Sequence, residues 1–156
     1  MLKLCRIDSR LSHGKTVENW TREYGLDAVI IANDKKADDD FGQEIMNLSI
    51  PEGIDKVYLK IDELKDFLRA KDKDYLCLVE SATDLEKILD QDIEIGHVNI
   101  GIIHMTKGKK SLTEEVAVDE NDLRIFKKVL AKGIDLAIRL NPYATKKKLD
   151  DYLMEK

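Results

Sequence analysis

The residue types best suited to chemistry crowd together near the start of the chain. Arg6, Asp8, Arg10, His13, Gly14 and Lys15 all fall between positions 6 and 15. Apolar residues at helical spacing, Val17, Trp20 and Tyr24, follow directly. A helix start offers backbone N–H groups that lack intrahelical partners, together with the positive end of the helix dipole, and this pairing attracts anions such as phosphate. An uncharged imidazole at that place has a lone pair that can accept a phosphoryl group. Arg10, Lys15 and the N–H donors would then face the new negative charge, while Asp8 could orient an arginine or a ring nitrogen. Gly14 would let the backbone approach closely where a Cβ would obstruct.

Other candidates are weaker. Asn33 and Ser81 each follow an apolar run and suit helix N-caps, and Ser81 is also a candidate for a second role near the phosphate. His104 follows the end of another run and could stand at the rim of the same mouth. His13, His97 and His104 share no metal-ligand spacing, so neither a metal nor an organic cofactor is expected. Cys5 and Cys77 lie inside apolar runs without CxxC spacing and read as buried thiols. Gly108-Lys109-Lys110-Ser111 resembles the end of a P-loop, but Ile103 occupies the position of the required glycine, which leaves a basic loop of solvated lysines. His13-Gly14-Lys15-Thr16 is similar to a histidine-phosphatase motif, except that Ser12 replaces the arginine that grips phosphate there.

These residues need a frame to position them. Leu2 to Ile7, Ala28 to Ala32, Lys56 to Ile61, Tyr75 to Val79 and Ile95 to Ile103 read as strands, with helical patterns between most of them. Ala37, Phe41 and Ile45 follow Asn33-Asp34 at four-residue spacing and predict one helix. Asp62 can cap a helix carrying Leu64, Phe67 and Leu68, and Ser81 or Thr83 one carrying Leu85, Ile88 and Leu89. A polar loop, Thr106 to Thr113, precedes a short strand at Glu115 to Val118. Asp119 to Asp122 has capping-box character ahead of Leu123, Phe126 and Leu130, and Gly133 suits the helix end. Ile134 to Leu140 alternates in polarity like a half-exposed edge strand, and Thr145 to Lys156 reads as a terminal amphipathic helix. Strands separated by crossover helices predict an α/β fold: an open, mostly parallel sheet with helices on both faces and its site at the carboxyl ends of the strands.

The 156 residues fit one domain, 1–156, with roughly 70% of the unfolded surface buried. With 31 acidic against 26 basic side chains the net charge is −5, which argues against nucleic acid or anionic lipid as the main partner. No apolar run approaches the roughly 20 residues that span a bilayer, and the opening MLKLCRIDSR lacks the features of a secretion signal, so a cytoplasmic location is expected.

Arg6-Ile7-Asp8-Ser9-Arg10-Leu11-Ser12-His13-Gly14-Lys15, with Trp20 following, resembles the signature of the IIB components of the bacterial phosphoenolpyruvate-dependent sugar phosphotransferase system (PTS), mannose/fructose/sorbose family. Further stretches resemble family positions in the same order: Ile31 to Asp34, Pro51-Glu52-Gly53, Val98 to Gly101 with Gly108-Lys109, and Val118 to Glu120 through Phe126-Lys127. The resemblance implies a phosphotransferase that accepts a phosphoryl group from a phosphorylated IIA partner on Nδ1 of His13. It would pass the group to a sugar held by membrane IIC and IID subunits, with peripheral association to that permease. The resemblance puts the family's phosphorylated histidine on His13, its motif arginines on Arg6 and Arg10 and its motif aspartate on Asp8. Taken with the residue chemistry above, His13, Arg10 and Asp8 are expected in catalysis and Arg6, Gly14, Lys15 and Ser81 around the phosphate, with Arg6 and Asp8 organising the loop. The implied sheet has one antiparallel edge, which Ile134 to Leu140 suits. The family usually carries Ile and Gln where this chain has Ser12 and Lys15, and a regulatory module that keeps the fold without phosphorylating sugar is the alternative.

Overall fold

The computed structural model describes residues 1–149. The chain runs β1 (Leu2–Asp8), α1 (Thr16–Tyr24), β2 (Ala28–Ala32), α2 (Asp34–Ala37), α3 (Asp40–Asn47), β3 (Asp55–Leu59), a 3-10 turn (Ile61–Glu63), α4 (Leu64–Arg69), β4 (Tyr75–Val79), α5 (Ala82–Leu89), β5 (Ile95–Ile102), β6 (Lys110–Ser111), β7 (Ala117–Val118), α6 (Glu120–Ala131) and β8 (Asp135–Ile138). Six strands form one sheet in the order β3-β2-β4-β1-β5-β8, and every neighbouring pair is parallel. β6 and β7 form a separate antiparallel pair.

Because successive strand residues point to opposite faces, the apolar runs feed two cores. On one face Leu4, Val29, Ile31, Leu76 and Leu78 meet Val17 and Trp20 of α1, with Met46 of α3 alongside. On the other, Cys5, Ile7, Ile30, Cys77 and Val79 meet Leu64, Leu85, Ile88, Ile125 and Phe126 from α4, α5 and α6. The helices after the adjacent strands β1 and β4 therefore leave to opposite faces, which opens a crevice at the carboxyl ends of those strands. Cys5 and Cys77 are buried free thiols paired across β1 and β4, and the hydrogen bond between them, with burial, raises Cys77 well above the ordinary thiol range.

Local signals place most element ends. Asp119 and Asp122 form the expected capping box, Ser81 caps α5 by accepting the Asp84 N–H at 3.2 Å, and Gly25 and Gly133 take positive φ where α1 and α6 end. Four expectations differ. Residues 34–47 form two helices because Asn33 caps α2 through the Lys36 N–H and Asp39 starts α3 through the Gly42 N–H. A run of short carboxylates competes for the backbone there and breaks the helix. Before α4 it is Lys60, rather than Asp62, that precedes the first turn. β8 lies at the sheet edge as its alternation implies, yet it runs parallel to β5; antiparallel pairing occurs instead in β6–β7 and at the bridge from Ile138 to Lys147. Thr145 to Leu149 is not helical, since Lys147 pairs with Ile138 there, and the remainder of the expected terminal helix lies outside the described residues. No helix among the described residues is long and apolar enough to cross a membrane.

Candidate functional site

β1 ends at Asp8, flanked by β4 and β5, and the chain then turns tightly before α1. The Leu11 N–H reaches the Asp8 carbonyl at 2.8 Å, and Leu11 takes a left-handed φ of 58°. That conformation costs a residue with a Cβ about 1–2 kcal/mol. Burial of the Leu11 side chain in the α1-side core offsets the cost and fixes the turn. Gly14 is left-handed as well, at φ 51°, a position suited to glycine.

Asp8 is the hub. Its carboxylate is fully buried, and Oδ1 accepts the Arg10 backbone N–H at 2.9 Å. Oδ2 accepts from Arg6 Nη2 at 3.2 Å and from His13 Nε2 at 3.1 Å. A carboxylate can only accept, so Nε2 of His13 carries the ring proton and Nδ1 of the neutral ring keeps a lone pair. Thr16 Oγ1 lies 3.4 Å from the same Nε2. His13 is 31% exposed, and its Nδ1 takes no hydrogen bond among the described residues. The N-cap of α1 is Lys15, whose side chain makes no capping hydrogen bond; the Thr16 N–H is taken by the His13 carbonyl at 3.1 Å, which leaves the Val17 and Glu18 N–H groups of the first turn without a partner among the described residues.

Arg6 corrects an expectation. The sequence sets it both around the phosphate and as an organiser of the loop, and only the second fits, because Arg6 is 1% exposed and its guanidinium is spent on protein acceptors. Nη1 donates to Asn99 Oδ1 at 2.5 Å and to the Arg139 carbonyl at 3.2 Å, and Nη2 donates to Asp8 and to the Leu140 carbonyl at 3.0 Å. Its Cζ sits 5.4 Å from the centroid of the Trp20 ring, and Nε has no partner among the described residues. Burial pulls the pKa of Arg6 down, and the carboxylate of Asp8 pulls the other way. Gly101 makes room for this arrangement, because a Cβ there would stand 2.2 Å from Arg6 Cζ. Arg6 is thus a buried brace that ties Asp8 to β5 and to the segment after β8.

Arg10 and Lys15 are exposed at the mouth and form no ion pair among the described residues, so both are available to an incoming anion. Ser81 lies at the carboxyl end of β4, where its hydroxyl is explained by the α5 cap. His104 is exposed, and its backbone N–H donates to Ser9 Oγ at 3.0 Å, which ties it to the first loop and sets it at the rim. Lys109 is not solvated as expected: its side chain is 16% exposed and pairs with Asp122 and Asp119 at the start of α6. His97 lies towards the other end of β5, paired with Asp135.

Several contributors escape a reading of the sequence. Thr16 at the imidazole, Asn99 and the carbonyls of Arg139 and Leu140 on Arg6, and Ser49, whose hydroxyl meets Ser12 at 2.6 Å, come from distant positions or ordinary residue types. The one available signal was Asn99-Ile100-Gly101 within the family-like segments.

Fold and site together define an open parallel α/β domain that presents a carboxylate-oriented histidine at the head of its first helix. Residues 2–156 match the family described as PTS system sorbose subfamily IIB component, and the chain belongs to that family. The mannose-specific EIIAB component of Escherichia coli (strain K12) is 29% identical over 142 residues, covering 89% of this chain and 44% of that protein. This chain thus spans under half the length of that relative. The N-acetylgalactosamine-specific phosphotransferase enzyme IIB component 2 of the same organism is 28% identical, covering 87% of this chain and 88% of that one. The IIBSor domain of the sorbose permease from Klebsiella pneumoniae superposes with a TM-score of 0.91 at 24% identity, covering 100% of this chain and 98% of that one.

Proposed function

We propose that this chain acts as a phosphocarrier domain of the phosphotransferase system, taking a phosphoryl group from a phosphorylated IIA partner onto Nδ1 of His13. It then passes the group to a sugar held by membrane IIC and IID subunits, working in the cytoplasm in peripheral association with them. Family membership supports this reading, and one observation carries it: buried Asp8 holds the Nε2 proton of His13, leaving the Nδ1 lone pair free in the loop that leads into α1.

The chemistry follows from that arrangement. As the donor's P–N bond breaks, the Nδ1 lone pair forms the new bond to phosphorus, and the proton on Nε2 stays in place. The ring charge that develops is met by the Asp8 carboxylate, which Arg6 and the Arg10 N–H already hold. The phosphoryl oxygens are met by first-turn N–H groups and by Arg10 and Lys15. Open N-termini of this kind stabilise an anion by roughly 0.3–1 kcal/mol when exposed. Such positioning and charge stabilisation need no proton relay.

The test is labelling with a histidine-phosphorylated IIA component carrying radioactive phosphate. The expected result is one acid-labile, base-stable phosphate per chain, lost in His13→Ala and discharged to sugar when permease membranes are added. Labelling that survives His13→Ala would overturn the assignment, and label that enters but never leaves would mark a regulatory module.

A further inference from the structure

Beside His13 a groove of about 460 Å³ runs between the first loop and α3. Its lining includes Ser12, His13, Lys36, Ile45, Met46 and Leu48. α3 departs from the usual pattern of a surface helix: Phe41, Ile45 and Leu48, at i, i+4 and i+7, form a stripe that is 71%, 54% and 88% exposed. Only Met46 on the other side joins the core. We infer that this stripe and groove are the docking socket for the phosphoryl-donor protein, which seats an apolar side chain against Ile45 and Leu48 while its phosphohistidine meets His13. The inference rests on the carrier function proposed above and assigns the surface that serves it.

Three features select this occupant. The wall beside His13 is aliphatic, which suits a protein side chain better than a sugar, whose hydroxyls need polar partners. Lys36 lines the groove paired with Asp39 at 3.7 Å, whereas Lys15 and Arg10 are exposed on the adjoining loop without an ion pair among the described residues. A donor arrives carrying a phosphoryl dianion for these cations to meet, whereas a neutral sugar brings no charge. A second copy of this chain packed face to face would set the unpaired Arg10 and Lys15 of each loop against those of the other, an unfavourable contact across a two-fold axis.

The geometry also ties the socket to the acceptor. Ser12, directly before His13, meets Ser49 Oγ at 2.6 Å, and the Ser49 hydroxyl donates to the Met46 carbonyl at 2.8 Å. The end of α3 is thereby fastened to the acceptor loop, so a protein seated on the stripe is held in register with the imidazole. The left-out Cβ of Gly42 is what lets the Lys36 and Asp39 side chains close the groove's edge, since a Cβ would stand 2.9 Å from Lys36 Nζ and 2.2 Å from Asp39 Oδ2.

The experiment compares wild type with Ile45→Asp and Leu48→Asp in the full chain, using two phosphoryl donors: a histidine-phosphorylated IIA component and the small molecule phosphoramidate. The expected result is a rise of about tenfold or more in the KM for phospho-IIA, as for an interface hot spot, with the saturating rate little changed. Phosphoramidate labelling of His13 should match wild type, which also shows that the variants are folded. An unchanged KM for phospho-IIA in both variants overturns the docking assignment while leaving the carrier function standing. The assignment is equally overturned if only discharge to sugar suffers, which marks a permease face, or if wild type self-associates and Leu48→Asp abolishes that. Wild type that takes no phosphate on His13 from either donor overturns the carrier function itself.

Discussion

Two histidine–aspartate pairs among the described residues have nearly equal length, and they differ in almost everything else. His13 Nε2 lies 3.1 Å from Asp8 Oδ2, and His97 Nδ1 lies 3.0 Å from Asp135 Oδ2. Asp8 is fully buried and held from three sides, whereas Asp135 is half exposed and shared with Lys146. The bond from His97 draws the pKa of Asp135 below its ordinary value, yet water can replace either partner there. Tyr24 packs against the His97 ring, with the ring centroids 5.5 Å apart. Length alone thus says little about a histidine pair: a carboxylate that cannot turn away fixes which nitrogen is free, and a solvated one does not.

The largest expected effect comes from disturbing one hub and then the other. Asp8→Asn removes the charge that fixes the Nε2 tautomer and should slow His13 labelling by on the order of 10²-fold or more, as for other oriented histidines. Asp135→Asn should leave the rate near wild type. Rapid-quench labelling measures both, and nitrogen NMR should report an Nε2-protonated His13 in wild type and a mixed population in Asp8→Asn. Equal losses in the two variants would show that the buried hub is nothing special.

Next in size is the brace behind the hub. Gly101→Ala drives a Cβ into the Arg6 guanidinium and should destabilise the fold by about 1–3 kcal/mol, as overpacking does. Labelling should slow with it, because Asp8 loses its brace. Urea unfolding together with labelling checks both, and a variant that loses neither shows that Arg6 can shift freely. Asp135→Asn, the matching disturbance at the exposed pair, should cost only about 0–1 kcal/mol.

The smallest effect belongs to the outer helices. Arg124 grips Glu86 with two bonds, at 2.7 and 2.9 Å, and with Lys128 holds its pKa down to about 2. A carboxylate depressed in the folded state contributes stability above its unfolded value, and the contribution fades as pH falls from about 4.5 towards 2. Glu86→Gln should therefore lower the Tm slightly at pH 7 and leave it unchanged near pH 2. A variant with the same Tm deficit at both values would mean that the loss is packing rather than charge.

Much of this architecture was legible beforehand. The apolar runs of β1, β2, β4 and β5 were visible because strands buried on both faces carry little else, and Asn33, Ser81 and Asp119 announced their helix starts because short polar side chains cap locally. The break within 34–47 escapes periodicity because Ala37, Phe41 and Ile45 keep four-residue spacing straight across it, while the second start depends on the local cap from Asp39; spacing likewise cannot show that Phe41 and Ile45 face solvent. The direction of β8 was misread for a similar reason, since alternation reports exposure and says nothing of polarity. Within the site, the segment from Arg6 to Lys15 proposed its own chemistry, but it could not reveal that Arg6 turns inward while Arg10 stays out.

The sequence by itself determined the local events: which runs become strands, where helices start, and which short segment bears a histidine among cations at a helix head. Those outcomes depend on side-chain type and on neighbours a few residues away. Only the tertiary structure decided that Asp8 grips Nε2, that Asn99, Gly101 and the chain after β8 make Arg6 a brace, and that α3 lays an apolar stripe beside the imidazole. These depend on strand order and burial, which bring together residues up to 134 positions apart.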